Sequence, residues 1–158
     1  MSLLALFSWI TTAGGGLYLL AIWLIEYDKD FQAVTATRLP PPVLGGHVTL
    51  AGGGLLVWIG YLVSDDDQLQ WIAVAAILLA ATLGAVMAIR WIGVYRASRA
   101  RMQLAVAGQH GRVAVLDRAV REGPPERNFP LPVVIAHGVF AALTITLVLL
   151  TAFGVGGS

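Results

Sequence analysis

The sequence predicts an all-α fold, an integral membrane four-helix up-down bundle that forms a single transmembrane domain over residues 1–158. Composition is the first reason: 58% of the residues are hydrophobic and 12% charged, too apolar a balance for a soluble domain of this size. The second is where the charges fall. They leave four uncharged runs, 3–25, 43–63, 69–89 and 131–154, each close to the roughly 20 residues that cross a hydrocarbon core at about 1.5 Å per residue. Third, lipid offers no partner for backbone N–H and C=O groups, so each run must satisfy its own and is expected to be a helix.

The first helix is expected over 3–25. Met1-Ser2-Leu3-Leu4 has no basic region, and the apolar run outlasts a signal peptide, so it is expected to be retained. A connection at 26–42 leads to the second helix, 43–63, opened by Pro42. Ser64-Asp65-Asp66-Asp67-Gln68 is a short solvated turn, and the third helix continues from 69 to about 95. A longer connection, 96–130, follows. Within it, Val113, Leu116 and Val120 against Arg118 and Arg121 predict a short amphipathic helix over 112–122, and Gly123-Pro124-Pro125 ends it. The fourth helix is expected over 131–154. Short links make consecutive helices antiparallel, which places the second and fourth on a diagonal, running parallel.

Charge gives the orientation. The turn at 64–68 has no Lys or Arg, whereas 96–130 carries Arg96, Arg99, Arg101, Arg112, Arg118, Arg121 and Arg127. By the positive-inside rule, 26–42 and 96–130 are expected in the cytoplasm and both termini outside, in the cell's plasma membrane. Trp23 and Trp91 fall near the inner ends of helices and Trp9, Trp58 and Trp71 toward the outer ends, as interfacial anchors would. Nucleic acid is excluded as a partner because these arginines are assigned to the lipid interface.

Two histidines stand inside the apolar runs. Pro42-Val43-Leu44-Gly45-Gly46-His47 with Ala51 is matched by Pro132-Val133-Val134-Ile135-Ala136-His137 with Ala141. Each histidine therefore lies roughly 7 to 8 Å past the proline that opens its helix. An ionisable residue at that depth is costly enough to call for a function, although hydrogen bonding across the bundle is the simpler role for either one alone. No third His and no Asp or Glu shares the level, which argues against zinc. Copper could recruit Met87. An iron porphyrin brings four nitrogens and asks the protein for only two axial ligands, which is the number on offer. With no cysteine, thiolate ligands, iron–sulfur clusters and covalently attached haem are excluded.

On His47 and His137, and on the helix faces His47, Ala51, Gly54 and His137, Ala141, Thr144, the chain resembles the four-helix membrane b-type cytochromes. The resemblance covers the transmembrane layout and two residues, without a family-specific motif. It implies haem b held between helices two and four near the cytoplasmic face, with His47 and His137 as iron ligands and Ala51, Gly54 and Ala141 leaving room for the ring. Arg90 would pair with a propionate, with Arg38 and Arg96 as looser candidates. Arg90 could equally snorkel to the headgroups. Two-haem carriers need four ligands, and here only two membrane histidines exist, since His110 lies in the 96–130 connection. Electrons would then pass to a quinone, a partner subunit or a second copy. Tyr18, Tyr61, Thr82 and Thr146 could host a quinone headgroup or simply bond between helices.

Gly14-Gly15-Gly16 and Gly52-Gly53-Gly54 are expected to let helices approach closely, the alternative being space for a flat cofactor. Their local similarity is not evidence of duplication, because helices one and two run antiparallel. Three functions remain open: an electron-transfer haem protein, more a redox subunit than a self-contained enzyme; a non-catalytic accessory or assembly subunit whose histidines serve packing; and a small metal transporter.

Overall fold

The computed structural model describes residues 1–30, 37–107 and 124–155. Four α-helices account for most of them: α1 (Ser2–Asp30), α2 (Pro41–Ser64), α3 (Asp67–Ala107) and α4 (Leu131–Ala152). There is no strand among the described residues, and one turn of 3-10 helix, Pro125–Asn128, precedes α4. All four helices are long and apolar enough to cross a membrane, as expected for an integral membrane protein. The 41-residue α3 exceeds its expected end at 95 and measures about 60 Å at about 1.5 Å per residue, so it extends well past a hydrocarbon core. The amphipathic helix expected over 112–122, and His110, lie outside the described residues.

Each turn has a local cause. At the α2–α3 turn, Asp65 adopts φ 53 in the left-handed region and its N–H reaches Tyr61 O at 2.9 Å, closing α2. Asp66 Oδ1 then accepts from Gln68 N at 2.8 Å and caps the start of α3. The acidic run therefore builds a tight reversal. At the opposite end, α2 and α4 open alike. Pro40 and Pro130 are their N-caps, with φ, ψ of −62°, 123° and −66°, 120°. In both, the cap carbonyl accepts from the third and fourth residues on, Val43 and Leu44 in one and Val133 and Val134 in the other.

Helix α2 packs mainly on α3 and α1 mainly on α4, with lighter α1–α2 and α3–α4 contacts and no close backbone approach across either diagonal. The diagonal placement of α2 and α4 agrees with the sequence expectation. Equivalent positions recur at a constant offset within each diagonal pair. Ala5, Ala13, Gly16, Trp23 and Tyr27 of α1 match Ala73, Ala81, Gly84, Trp91 and Tyr95 of α3, while Pro42, Val43, His47 and Ala51 of α2 match Pro132, Val133, His137 and Ala141 of α4. Burial follows the same register, with Ala5/Ala73, Trp9/Ile77, Trp23/Trp91, Gly54/Thr144 and Trp58/Val148 buried pairwise. The bundle is thus two copies of a helical hairpin, α1–α2 and α3–α4, related by a pseudo-two-fold axis along its length.

Two plugs seal the interior. Near the termini, Trp9 and Trp58 pack at 6.4 Å between ring centroids among Ala5, Ala73, Val74, Ile77 and Val148. Hydroxyls of Ser8 and Thr144, 2.8 Å apart, join α1 to α4 there. At the end with the long connections, Trp23, Leu39, Trp91, Val94, Pro125 and Glu126 are buried. Four of the five tryptophans therefore face the interior. Only Trp71, 47% exposed, faces outward as the interfacial role requires. The reason is packing: lipid tails are as apolar as the core, so an indole gains more by filling a bundle end and bonding its N–H than by facing the tails.

Glu126, fully buried, ties the second plug together. Its carboxylate accepts from Thr37 Oγ1 at 3.1 Å and Arg38 N at 2.7 Å, and its carbonyl accepts from Trp91 Nε1 at 3.1 Å. Trp23 Nε1 in turn donates to Thr37 Oγ1 at 3.3 Å. Glu126 thereby joins the two connections through its carboxylate and reaches α3 through its backbone carbonyl, while Thr37 links them to α1.

Two outcomes test this packing. A Cβ on Gly54 would sit 3.0 Å from Ala76 Cβ and 3.1 Å from the Trp9 ring, whereas one on Gly53 meets nothing within 4 Å. Gly54→Ala should therefore cost about 1–3 kcal/mol by overpacking, and Gly53→Ala should be neutral or slightly stabilising, as read by thermal unfolding in detergent. Glu126→Ala should cost about 2–4 kcal/mol in the same assay, because two donors lose a charged acceptor.

Candidate functional site

Between the plugs the packing changes. No residue is buried over 10–22 of α1, 41–53 of α2, 81–90 of α3 or 131–143 of α4. The inward-facing Gly16, Gly46, His47, Gly84 and His137 are only half-buried, in a bundle whose ends are closed. The side chains of this layer thus keep more accessible surface than those at either end. From Gly16 to Trp23, and from Gly84 to Trp91, it runs about 10 Å along the axis.

The two histidines face each other across this layer. Their ring centroids are 6.3 Å apart and their planes inclined at 67°. Each ring is held by a neighbouring helix in the same way. His47 Nδ1 lies 2.8 Å from Ala80 O, and His137 Nδ1 lies 2.9 Å from Thr12 O. A carbonyl oxygen only accepts, so both Nδ1 atoms donate, and in the neutral imidazole this fixes the proton there. Nε2 keeps its lone pair, and among the described residues it has no hydrogen-bond partner. That is the arrangement in which a backbone carbonyl orients a histidine for metal ligation.

Glycine makes the placement possible. The Ala80 carbonyl is followed one turn later by Gly84, and the Thr12 carbonyl by Gly16. A Cβ at Gly84 would lie 3.1 Å from His47 Cε1, and one at Gly16 3.0 Å from His137 Cε1. Each imidazole therefore rests on bare helix backbone. Of the first Gly-Gly-Gly run, Gly15 and Gly16 meet His137 and Gly14 meets nothing; of the second, only Gly54 makes a close contact. The runs serve different purposes. Gly16 corresponds to Gly84, a single glycine that the sequence reasoning passed over. Its signal was available in the shared register of Gly16, Trp23 and Tyr27 with Gly84, Trp91 and Tyr95.

The remaining expected site residues are distributed as follows. Ala51 and Ala141 are half-buried one turn beyond their histidines. Gly54 is buried under Trp9 and Ala76, so its missing side chain serves helix approach and opens no space. Arg90 is exposed at the long-connection end, where its guanidinium donates to Arg38 O at 3.3 Å. Met87, half-buried, lies one turn past Gly84. No group of three or more His, Cys, Asp or Glu converges among the described residues, so a zinc-type site has no donor set there. The structure does not assemble Tyr18, Tyr61, Thr82 and Thr146. Tyr18, Thr82 and Thr146 are exposed, with both threonines bonded to their own helices, and Tyr61 stacks on Trp58 at 5.1 Å.

The hydroxyls beside the site were expected only in part. Thr144 Oγ1 joins Ser8 Oγ at 2.8 Å and Thr12 Oγ1 at 3.1 Å next to His137. The corresponding positions beside His47 are Gly54, Ala76 and Ala80.

Comparison of the chain with protein-family models, with curated proteins and with solved structures found no match in any of the three. The chemistry of the site therefore carries the functional argument.

The donor set fits one ligand class well. A metal bound by two opposed imidazoles at about 2.0–2.1 Å from each nitrogen places the ring centroids roughly 6–6.5 Å apart. The observed centroid separation, 6.3 Å, falls in that range. The tautomers are directly testable: 15N spectra of histidine-labelled protein should show His47 and His137 with Nδ1 protonated and Nε2 bare. A proton found on either Nε2 would contradict the geometry.

Proposed function

We propose that the protein is a membrane-bound b-type haem protein of electron transfer, with one haem between α2 and α4. The observation that carries this reading is the pair of imidazoles, each held through Nδ1 by a backbone carbonyl, with ring centroids 6.3 Å apart between α2 and α4. Haem would supply reversible one-electron chemistry at iron. The chain's part is positional. Ala80 and Thr12 carbonyls hold the rings and strengthen Nε2 as a donor, Gly16 and Gly84 let the rings lie against backbone, and the tryptophan plugs exclude water. His47 and His137 would be the iron ligands, with Ala51 and Ala141 beside them. Arg90, exposed at the long-connection end, is the cation suited to a propionate.

The arginine distribution supports an orientation with that end, 26–42 and 96–130 in the cytoplasm and both termini outside, in the plasma membrane as this reading has it. A single site nearer one face exchanges electrons with a partner subunit, a second copy or a quinone from the same side. Arg38, Arg90, Arg96 and Arg99 are exposed at this end, a basic rim for a partner or for anionic lipid.

A second reading has its own support. Each histidine already has a hydrogen-bond acceptor on the neighbouring helix, which is all that a packing role in an accessory subunit requires. The optical spectrum decides between them. Protein made with ample haem supply should show six-coordinate low-spin bands, lost in His47→Ala and in His137→Ala. Colourless wild-type protein that co-purifies with a larger complex would favour the accessory role.

A further inference from the structure

The axis that relates the two hairpins runs between His47 and His137. Rotation about it exchanges those residues, exchanges the Ala80 and Thr12 carbonyls that hold them, and exchanges the Gly84 and Gly16 surfaces on which they rest. It also exchanges Ala51 with Ala141, Ala81 with Ala13, and Val43 with Val133. A flat ring between the two imidazoles has its two faces exchanged by the same rotation. For protohaem this flip keeps both propionates at one end of the bundle and swaps methyl and vinyl groups at the ring edge.

Resting on the haem reading, we infer that the site binds protohaem in two face-flipped orientations, because the groups that hold either face are the same. Ligation does not separate the two: each orientation has one carbonyl-oriented imidazole on each side. Discrimination is left to positions where the hairpins differ. The Ser8–Thr12–Thr144 hydroxyls stand against Ala76, Ala80 and Gly54, and the apolar pairs Leu83 against Gly15, Met87 against Leu19, Val134 against Leu44 and Ala136 against Gly46 differ in size. The hydroxyls are already bonded to one another and to helix carbonyls, Thr12 to Ser8 O at 2.8 Å and Thr144 to Phe140 O at 2.7 Å. They offer no free donor to select an apolar vinyl over a methyl.

The experiment is proton NMR of the ferric full-length protein reconstituted with protohaem in detergent. Hyperfine-shifted haem methyl resonances should appear as two sets, with populations within about tenfold of each other. Reconstitution with an iron porphyrin whose vinyl arrangement is unchanged by the flip should collapse them to one set. A single set with protohaem, in a sample whose optical spectrum shows bound low-spin haem, overturns the inference and leaves the haem reading standing. Two sets that persist with the symmetric porphyrin overturn it too, since the heterogeneity then lies elsewhere. Absence of the low-spin spectrum in the wild type removes both, and the optical measurement reports that separately.

Discussion

Everything at the centre of this bundle depends on one contact made twice, a histidine Nδ1–H donated to a backbone carbonyl of the adjacent helix, with a glycine one turn further on beneath the ring. The contact solves three problems at once. It satisfies the polar half of an imidazole in an apolar interior, where an unpaired donor costs about 1–3 kcal/mol. It fixes the tautomer. It also locks the ring against a rigid helix, so that the free nitrogen is presented from a defined position and not from a mobile side chain.

The closed ends follow from the same economy of a bundle in lipid. Helices there gain little from burying apolar surface against each other, and individual interhelical hydrogen bonds average about 0.6 kcal/mol. Shape must therefore do most of the work. The buried tryptophans fill both ends, and Gly54 lets Trp9 and Ala76 close in. Glu126 gathers the two connections under α1 and α3. The histidine layer lies between these two buried ends.

The pseudo-two-fold arrangement explains why two histidines, and no third ligand, meet at one level. A hairpin that carries one imidazole, used twice about an axis, delivers two. The hairpins depart from symmetry at the terminal plug, where Trp9 and Trp58 correspond to Ile77 and Val148, in the hydroxyl cluster beside His137, at Leu83 against Gly15, and in the buried Glu126 of the second connection. Symmetry thus accounts for the paired imidazoles, and asymmetry for how the two ends and the two sides differ.

The sequence by itself determined the four helices, their antiparallel order and the matched depth of His47 and His137, because backbone satisfaction in lipid and a fixed rise per residue leave few alternatives. It also carried the repeat of α2 in α4, visible from Pro42 and Pro132 onward. Tertiary structure decided which way side chains turn about each helix. With apolar residues on every face, no hydrophobic stripe marks the inside, so Trp9, Trp23, Trp58 and Trp91 read as lipid anchors until packing turned them inward. For the same reason Gly84 looked like any lone glycine, and Glu126 like an ordinary loop charge. Only the folded bundle brings Gly84 under His47, Gly16 under His137, and one buried carboxylate across both connections.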